Sequence, residues 1–370
     1  MKASFYMPTA IHFGAEGEKP FAAALQKAGR HAMIVTGKSS AKRCGALDDV
    51  IATLTGAGIA YTVFDEITEN PPLLTCHRGG AIAAAEGVDF VIGIGGGSPL
   101  DAAKAIAAFA ANPSIAPEEI YDDAKRANPT LPLYAIPTTA GTGSEANNFS
   151  VLTLPDGEHK KTFKAADSWF CAALVLPRYT ATMPHATAVS TALDAFAHAL
   201  ESYLSPKSTV FSERAALFAG AEIWDVLSAC PAAFDDDMRE RLSAAATAAG
   251  MAISVTGTGF PHPLGYSITL LDGIPHGRAC ALFAGDYLTY TEKTEVGKAR
   301  IEAFAAAIGA KPAVMKAFLP GIADVDLTFT EEEIAYRVEL IAGAKNYPNS
   351  PYVLCKDEIY DIYRSHFLKK

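Results

Sequence analysis

The chain has 370 residues, 50% of them hydrophobic, and a formal net charge of −10. That length exceeds what one hydrophobic core usually supports, so two domains are expected. An acidic chain without a basic patch is not built to bind a nucleic-acid polyanion, and a small-molecule enzyme is the class that fits.

From residue 31, short runs rich in Val and Ile alternate with alanine-rich stretches. The pattern predicts strands over 31–36, 60–64, 88–94 and 133–136, with helices over 40–55, 73–86 and 99–111 between them. Such alternation is the mark of a parallel sheet covered by helices. Beyond Pro177 it stops, and 186–203, 210–227 and 239–255 read as helices broken by Pro and Gly, while Asp235 to Asp237 reads as a solvated turn. The expected fold is therefore an α/β dinucleotide-binding domain over 1–180 with a mostly parallel sheet, followed by an all-helical metal-binding domain over 181–370.

The six cysteines are scattered with no CxxC pair, as in a protein of the reducing cytoplasm. The N-terminal ten residues lack the apolar core of an export signal, and no run approaches the roughly 18 apolar residues of a membrane span. A cytoplasmic protein with no membrane partner is expected.

Two loops in the first half suit phosphate. A buried-type strand runs into Gly93, Gly95, Gly96, Gly97 and Ser98, with Pro99 opening a helix and Asp101 in its first turn. Glycine lets the backbone approach a ligand, while free N–H groups and the helix dipole favour an anion. A ligand-free strand-to-helix turn would also use glycines, and the motif departs from the usual dinucleotide fingerprint because Ser98 stands where the last glycine would. The second loop, PTTAGTGSE over 137–145, also leaves a strand and offers hydroxyls and backbone donors. Two such loops beside one sheet edge point to a dinucleotide.

In the second half, Asp194 and His198 lie four residues apart on one helix face of Ala, Leu and Phe. Polar groups against an apolar interior need a strong partner, and a divalent cation is one. Glu201 is placed to accept the other N–H of His198, or to stay solvated. His262 in GFPHPLGY and His276 in IPHG sit in segments whose direction Pro and Gly fix. One such histidine is usually structural; two beside an Asp/His pair make a metal set.

With these residues assembled, the chain resembles the iron-containing alcohol dehydrogenases, which have a dehydroquinate-synthase-like fold. The resemblance runs over nearly the whole length through Asn70-Pro71, GGGSPLD (95–101), PTTAGTGSE (137–145), Lys160, DAFAHALE (194–201), His262 and PHG (275–277). It implies metal ligation by Asp194, His198, His262 and His276. Cofactor contacts are implied from Asn70, Gly95, Gly96, Ser98, Asp101, Thr138, Thr139, Thr142 and Lys160. The implied chemistry is hydride transfer between nicotinamide C4 and a metal-polarised primary alcohol or aldehyde, with Fe²⁺ the expected ion and Zn²⁺ or another divalent cation suiting the same ligands. A homodimer is the expected assembly.

Two departures from the family pattern carry information. Many NAD-preferring members place Asp after the first strand; Gly37 stands there here, followed by Lys38, Ser39 and Ser40, which leaves room and donors for a 2′-phosphate and predicts NADP(H) over NAD(H). Several members carry a histidine four residues after the third ligand, where this chain has Tyr266. Aligning His262 to that histidine would leave Thr258 as the ligand and stretch the spacing to His276, so His262 is read as the ligand. Proton exchange then falls to water, a ribose hydroxyl or Tyr266. Phe149 and Ile253 are expected to line the pocket and favour a modest apolar aldehyde. The alternative is an anionic substrate such as a semialdehyde, phosphonoacetaldehyde or maleylacetate, for which Arg278 is the available cation. A metal- and nucleotide-binding sensor without turnover is the rival from outside enzymes.

Overall fold

The computed structural model describes residues 5–368; Met1 to Ser4, part of the stretch read above for an export signal, and the last two lysines lie outside the described residues. The described chain forms two compact units, one of Tyr6–His185 with Ala233–Gly250, the other built mainly from Ala186–Ala232 and the chain after Met251.

The first unit is α/β. Its strands β1 (Ala10–Phe13), β2 (His31–Gly37), β3 (Ala60–Ile67), β4 (Phe90–Gly95), β5 (Leu133–Pro137) and β8 (Ala172–Val175) form a six-stranded sheet in the order β1-β8-β5-β4-β2-β3. Every pairing in it is parallel. Strands β4 and β5 are buried along their whole length, which is why they read as continuous apolar runs. β3 is an edge strand with most residues partly or fully exposed. The helices are α1 (Glu18–Leu25), α2 (Ser40–Arg43), α3 (Ala46–Gly56), α4 (Leu73–Ala85) and α5 (Gly97–Ala111). The expected helix over 40–55 is two helices, because Gly45 takes φ 85 between them. A two-stranded antiparallel ribbon, β6 (Phe149–Thr153) and β7 (Lys160–Lys164), completes the unit. Chain order reverses around β2, which has β3 on one side and β4 on the other, and the loops leaving β2 and β4 flank that switch point.

The second unit is helical, built from α6 (His185–Leu204), α7 (Val210–Ser228), the end of α8 (Asp236–Thr256), α9 (Pro261–Leu271), α10 (His276–Leu282), α11 (Ala284–Thr291), α12 (Glu295–Ala307), α13 (Pro312–Ala323), α14 (Glu331–Ile341) and α15 (Lys356–Phe367). Two expectations are corrected. Asp235 to Asp237 do not form a turn: Asp235 accepts the Met238 N–H at 2.8 Å, and its neighbours begin α8, where carboxylates favour the helix dipole. The division at 180/181 also misses that Ala233–Gly250 belongs with the α/β unit. The reason is a backbone contact: a Cβ on Gly250 would lie 2.2 Å from the Gly143 carbonyl oxygen, and Thr247 Oγ1 donates to Glu145 Oε1 at 2.7 Å.

Candidate functional site

The helical unit gathers the metal set. Alanine and leucine make α6 a strong helix, and Asp194, His198 and Glu201 fall on one stripe of it at helical spacing. All three are buried, at 4%, 5% and 1% exposure, so each must find its partner inside the protein. Pro261 opens α9 and places His262 in its first turn, while Pro275 precedes His276 at the start of α10. Gly277 sets the approach of α10 to α6: a Cβ there would meet the Ser190 carbonyl oxygen at 1.8 Å and the Asp194 nitrogen at 2.8 Å. Only glycine allows that contact, which brings His276 onto Asp194.

Asp194 Oδ1 is the hub. Nε2 of His198 lies 3.6 Å away, Nε2 of His262 3.7 Å and Nε2 of His276 3.9 Å. These are too long for hydrogen bonds but near the roughly 3.4 Å separating ligand atoms around one tetrahedral ion with bonds of about 2.1 Å. The His198 and His262 rings stack at 4.8 Å. Asp194 Oδ1, His262 Nε2 and His198 Nδ1 are buried without a hydrogen-bond partner. A buried carboxylate oxygen facing a buried ring nitrogen, neither satisfied, is costly unless a cation joins them.

Glu201 does not support His198 as anticipated. Its carboxylate accepts from His262 Nδ1 at 2.9 Å and from the Gly259 N–H at 2.5 Å. The stripe of α6 carries Glu201 two turns beyond Asp194, where the N-terminus of α9 packs, so its partner is tertiary rather than local. The bond fixes the proton on Nδ1 and turns Nε2 toward Asp194.

Burial raises the Asp194 carboxyl, but the three surrounding imidazoles outweigh it and hold Asp194 well below the usual carboxylate range. Burial pushes His198 down to about 4, with Asp194 opposing. For His262 burial also acts downward, yet the charges of Cys280 and Glu201, with Asp194 beside it, lift it well above its ordinary value. The Glu201 carboxylate, bonded to His262 alone of the two, helps drive these imidazoles apart.

Cys280, read earlier only as one of six scattered cysteines, belongs to this region. Among the described residues it joins Asp194, His262 and His276 in a group whose donor atoms all lie within 4.8 Å of one another. The signal was present as His-x-x-x-Cys, the same helical spacing as Asp-x-x-x-His. Tyr266 stacks on His276 with ring centroids 6.0 Å apart, and burial raises its phenol to about 12, with His262 opposing.

The α/β unit brings together the residues expected to contact a cofactor. Gly95, at φ 151, turns the chain out of β4, and Gly96 precedes α5. A Cβ on Gly96 would touch Thr139 at 3.2 Å and one on Gly97 would meet Thr142 at 2.6 Å, so the two loops lie side by side. Thr138 N–H donates to Gly95 O at 2.9 Å between the strand ends. Asn70, at φ 54, donates its N–H to Ser98 Oγ at 3.2 Å and accepts from Thr153 Oγ1 at 3.0 Å, and Thr153 pairs with Lys160 across the ribbon. Gly37 ends β2, with Lys38 and Ser39 exposed and Ser40 opening α2.

Asp101 is engaged inward: its carboxylate accepts from Ser144 Oγ at 2.6 Å and Val151 N–H at 2.8 Å. Beside it, fully buried Lys104 donates to Ser144 and to the carbonyl of Phe149. This pair, of which sequence reading named only Asp101, ties the threonine loop to α5. Phe149 starts β6 under the Lys164 ammonium, Ile253 is a buried core residue of α8, and Arg278 donates to Ala323 O at 3.0 Å with Asp324 nearby.

The family model described as iron-containing alcohol dehydrogenase matches residues 8–177, and the model of that family's C-terminal part matches residues 188–367. The solved structure of an iron-containing alcohol dehydrogenase from Thermotoga maritima is similar at a TM-score of 0.90 and 34% identity, over 98% of this chain and 99% of that one. An NADPH-dependent butanol dehydrogenase of Clostridium saccharobutylicum is 32% identical over 276 residues, 72% of this chain and 69% of the relative. A sulfoacetaldehyde reductase of Bifidobacterium kashiwanohense, solved in complex with NAD⁺, is similar at a TM-score of 0.87 and 26% identity over 99% of both chains. Fold, order of motifs and these likenesses agree: the chain is an oxidoreductase that belongs to the iron-containing alcohol dehydrogenase family.

Proposed function

We propose that the protein is a metal-dependent, NAD(P)H-linked alcohol dehydrogenase and aldehyde reductase acting on small, neutral primary alcohols and aldehydes. One observation carries the reading: buried Asp194 Oδ1, itself without a hydrogen bond, faces three imidazole nitrogens at 3.6, 3.7 and 3.9 Å. Asp194, His198, His262 and His276 would hold the cation, and a carboxylate with three imidazoles suits iron, zinc, manganese or nickel. Bound there, the ion supplies Lewis acidity toward the substrate oxygen, while the nicotinamide supplies or accepts hydride at C4.

The remaining work belongs to the chain. Glu201 holds His262 in the tautomer whose Nε2 lone pair is free. The loops after β4 and β5, with Asn70 and Lys160, bind the pyrophosphate and ribose. Gly37 presents no carboxylate to repel a 2′-phosphate, and exposed Lys38 and Ser39 follow it, which favours NADP(H). The substrate's proton exchanges through water, a ribose hydroxyl or Tyr266, whose ring stacks on His276; a role for Tyr266 predicts that Tyr266→Phe lowers kcat and shifts the pH–rate profile, and unchanged kinetics would remove it from the relay.

The name of the butanol dehydrogenase supports a short neutral alcohol or aldehyde, whereas that of the sulfoacetaldehyde reductase, whose substrate carries a sulfonate, supports the anionic alternative. Against an anionic substrate stands Arg278, whose guanidinium is committed to Ala323 and Asp324. A homodimer remains the assembly to be checked by sedimentation. The function is tested by NADPH oxidation in iron(II)-loaded protein across aldehydes of varied length and charge. Turnover with neutral aldehydes is expected; cofactor and metal binding without turnover would instead make the chain a sensor.

A further inference from the structure

Lys104 stands on α5 with no exposed surface, and its Nζ is ringed by oxygens from one short stretch of chain. It donates to Ser144 Oγ at 2.7 Å, to the Ser144 carbonyl at 2.8 Å and to the Phe149 carbonyl at 2.6 Å, and Asn147 Oδ1 lies at 3.4 Å. The three short contacts match the three N–H bonds of an ammonium. The Ser144 hydroxyl gives its own proton to Asp101 Oδ1 at 2.6 Å, so toward Lys104 it accepts. Asn147 adds to the same knot, donating from Nδ2 to the Gly143 carbonyl at 2.9 Å and accepting the Phe149 N–H at 2.9 Å. Between β5 and β6 the described chain has only the short turn Ser144–Ala146 as regular structure, so its shape rests on these side-chain bonds. A buried ion pair is weak support for stability, since an apolar side chain of similar volume often serves as well. What this lysine supplies is geometry.

We propose that Lys104 is a positioning residue for the nicotinamide cofactor: it holds the loop after β5 in the conformation that binds, a role that rests on the reading of that loop as part of the cofactor site. The link runs through Ser144. Its N–H meets Thr142 Oγ1 at 3.3 Å, and Thr142 packs on Gly97, where a Cβ would lie 2.6 Å from the threonine methyl. Gly97 and Lys104 are seven residues apart on α5, so they share one face of that helix, and residues 142–144 bridge them. The glycine loop and the threonine loop are thereby set against each other before any ligand arrives, which spares the ordering cost of binding. Lys104 itself touches no cofactor atom; it acts through the loop.

The test titrates NADPH into full-length, metal-free protein by the cofactor's fluorescence, and measures kcat and KM for NADPH in iron(II)-loaded protein, with folding checked by circular dichroism. Lys104→Met fills much of the space but offers no donor. Its dissociation constant for NADPH should rise about 10–100-fold, the loss expected for charge-assisted hydrogen bonds, with KM rising alongside and kcat at saturating cofactor falling less than about threefold. Ser144→Ala removes only the hydroxyl link and should weaken binding about 3–10-fold. The double variant should bind within about twofold of Lys104→Met, because both changes break one linkage. Unchanged NADPH binding in folded Lys104→Met, whatever its melting temperature, overturns the proposal and leaves the cofactor reading standing, as do effects that multiply in the double variant. If Lys104→Met does not fold, Ser144→Ala decides, and wild-type affinity there overturns the proposal. Wild-type protein that binds no NADPH overturns the cofactor reading as well.

Discussion

The packing of α10 on α6 makes Gly277→Ala the most informative single substitution. The added Cβ would stand 1.8 Å from the Ser190 carbonyl oxygen, whereas real Cβ contacts essentially never fall below 3.0 Å. The helices must therefore separate by about 1.2 Å, and α10 has little room to retreat, because on α9 a Cβ at Gly265 would already lie 3.1 Å from Ala279 Cβ. His276, the residue before Gly277, moves with the helix. Metal–ligand distances tolerate only about 0.2 Å, so His276 leaves the coordination shell. We expect a loss of at least about 100-fold in metal affinity and a fall of about 1–3 kcal/mol in stability from overpacking. Competition with a chromophoric chelator gives the first, and thermal melting of metal-free protein the second. Gly343→Ala is the control, since no atom lies within 4 Å of its added Cβ; it should change stability by less than about 0.5 kcal/mol. Wild-type metal affinity in Gly277→Ala would refute the argument that this contact assembles the site.

Three further outcomes follow from the geometry. Glu201→Gln preserves shape but removes the carboxylate that orients His262, and chelator competition should show metal affinity reduced about 10–100-fold; an unchanged constant would mean that His262 is held by packing alone. Lys104 is held down to about 8 from 10.5, first by burial, with the Asp101 and Glu145 carboxylates opposing. Its folded value lies below its unfolded one, so the burial penalty is complete below pH 8 and is relieved as pH rises toward 10.5. Wild-type stability should accordingly climb relative to Lys104→Met across that window in paired melting curves, and a constant difference would contradict the reasoning. Gly37→Asp should shift the kcat/KM ratio toward NADH by about tenfold or more through repulsion of the 2′-phosphate, and an unmoved ratio would place that phosphate elsewhere.

Much of this was legible in sequence because local periodicity and tertiary burial agreed. Fully buried β4 and β5 read as apolar runs, and the spacing of Asp194 and His198 on α6 announced a shared face. What failed to show depended on contacts distant in sequence. Glu201 was paired with its helix neighbour His198, yet the packing of α9 gives it His262. Spacing to other cysteines says nothing of Cys280, whose helical spacing from His276 brings it beside that imidazole. The β7 strand KKTFK buries only Phe163, so no alternating apolar pattern marked it, and β1 has just four residues. The part of α8 up to Gly250 joins the α/β unit, with a glycine-to-glycine contact between Gly143 and Gly250 that no composition shift signals.

The central claim is that the Asp194–histidine cluster holds a cation needed for hydride transfer. It is tested most directly by titrating metal-free protein with iron(II) under anaerobic conditions while following NADPH oxidation by a short aliphatic aldehyde. The account predicts activity that rises from the baseline and saturates at one ion per chain, and that Asp194→Ala lacks at every iron concentration. Full turnover in metal-free protein, or wild-type saturation in Asp194→Ala, would contradict it.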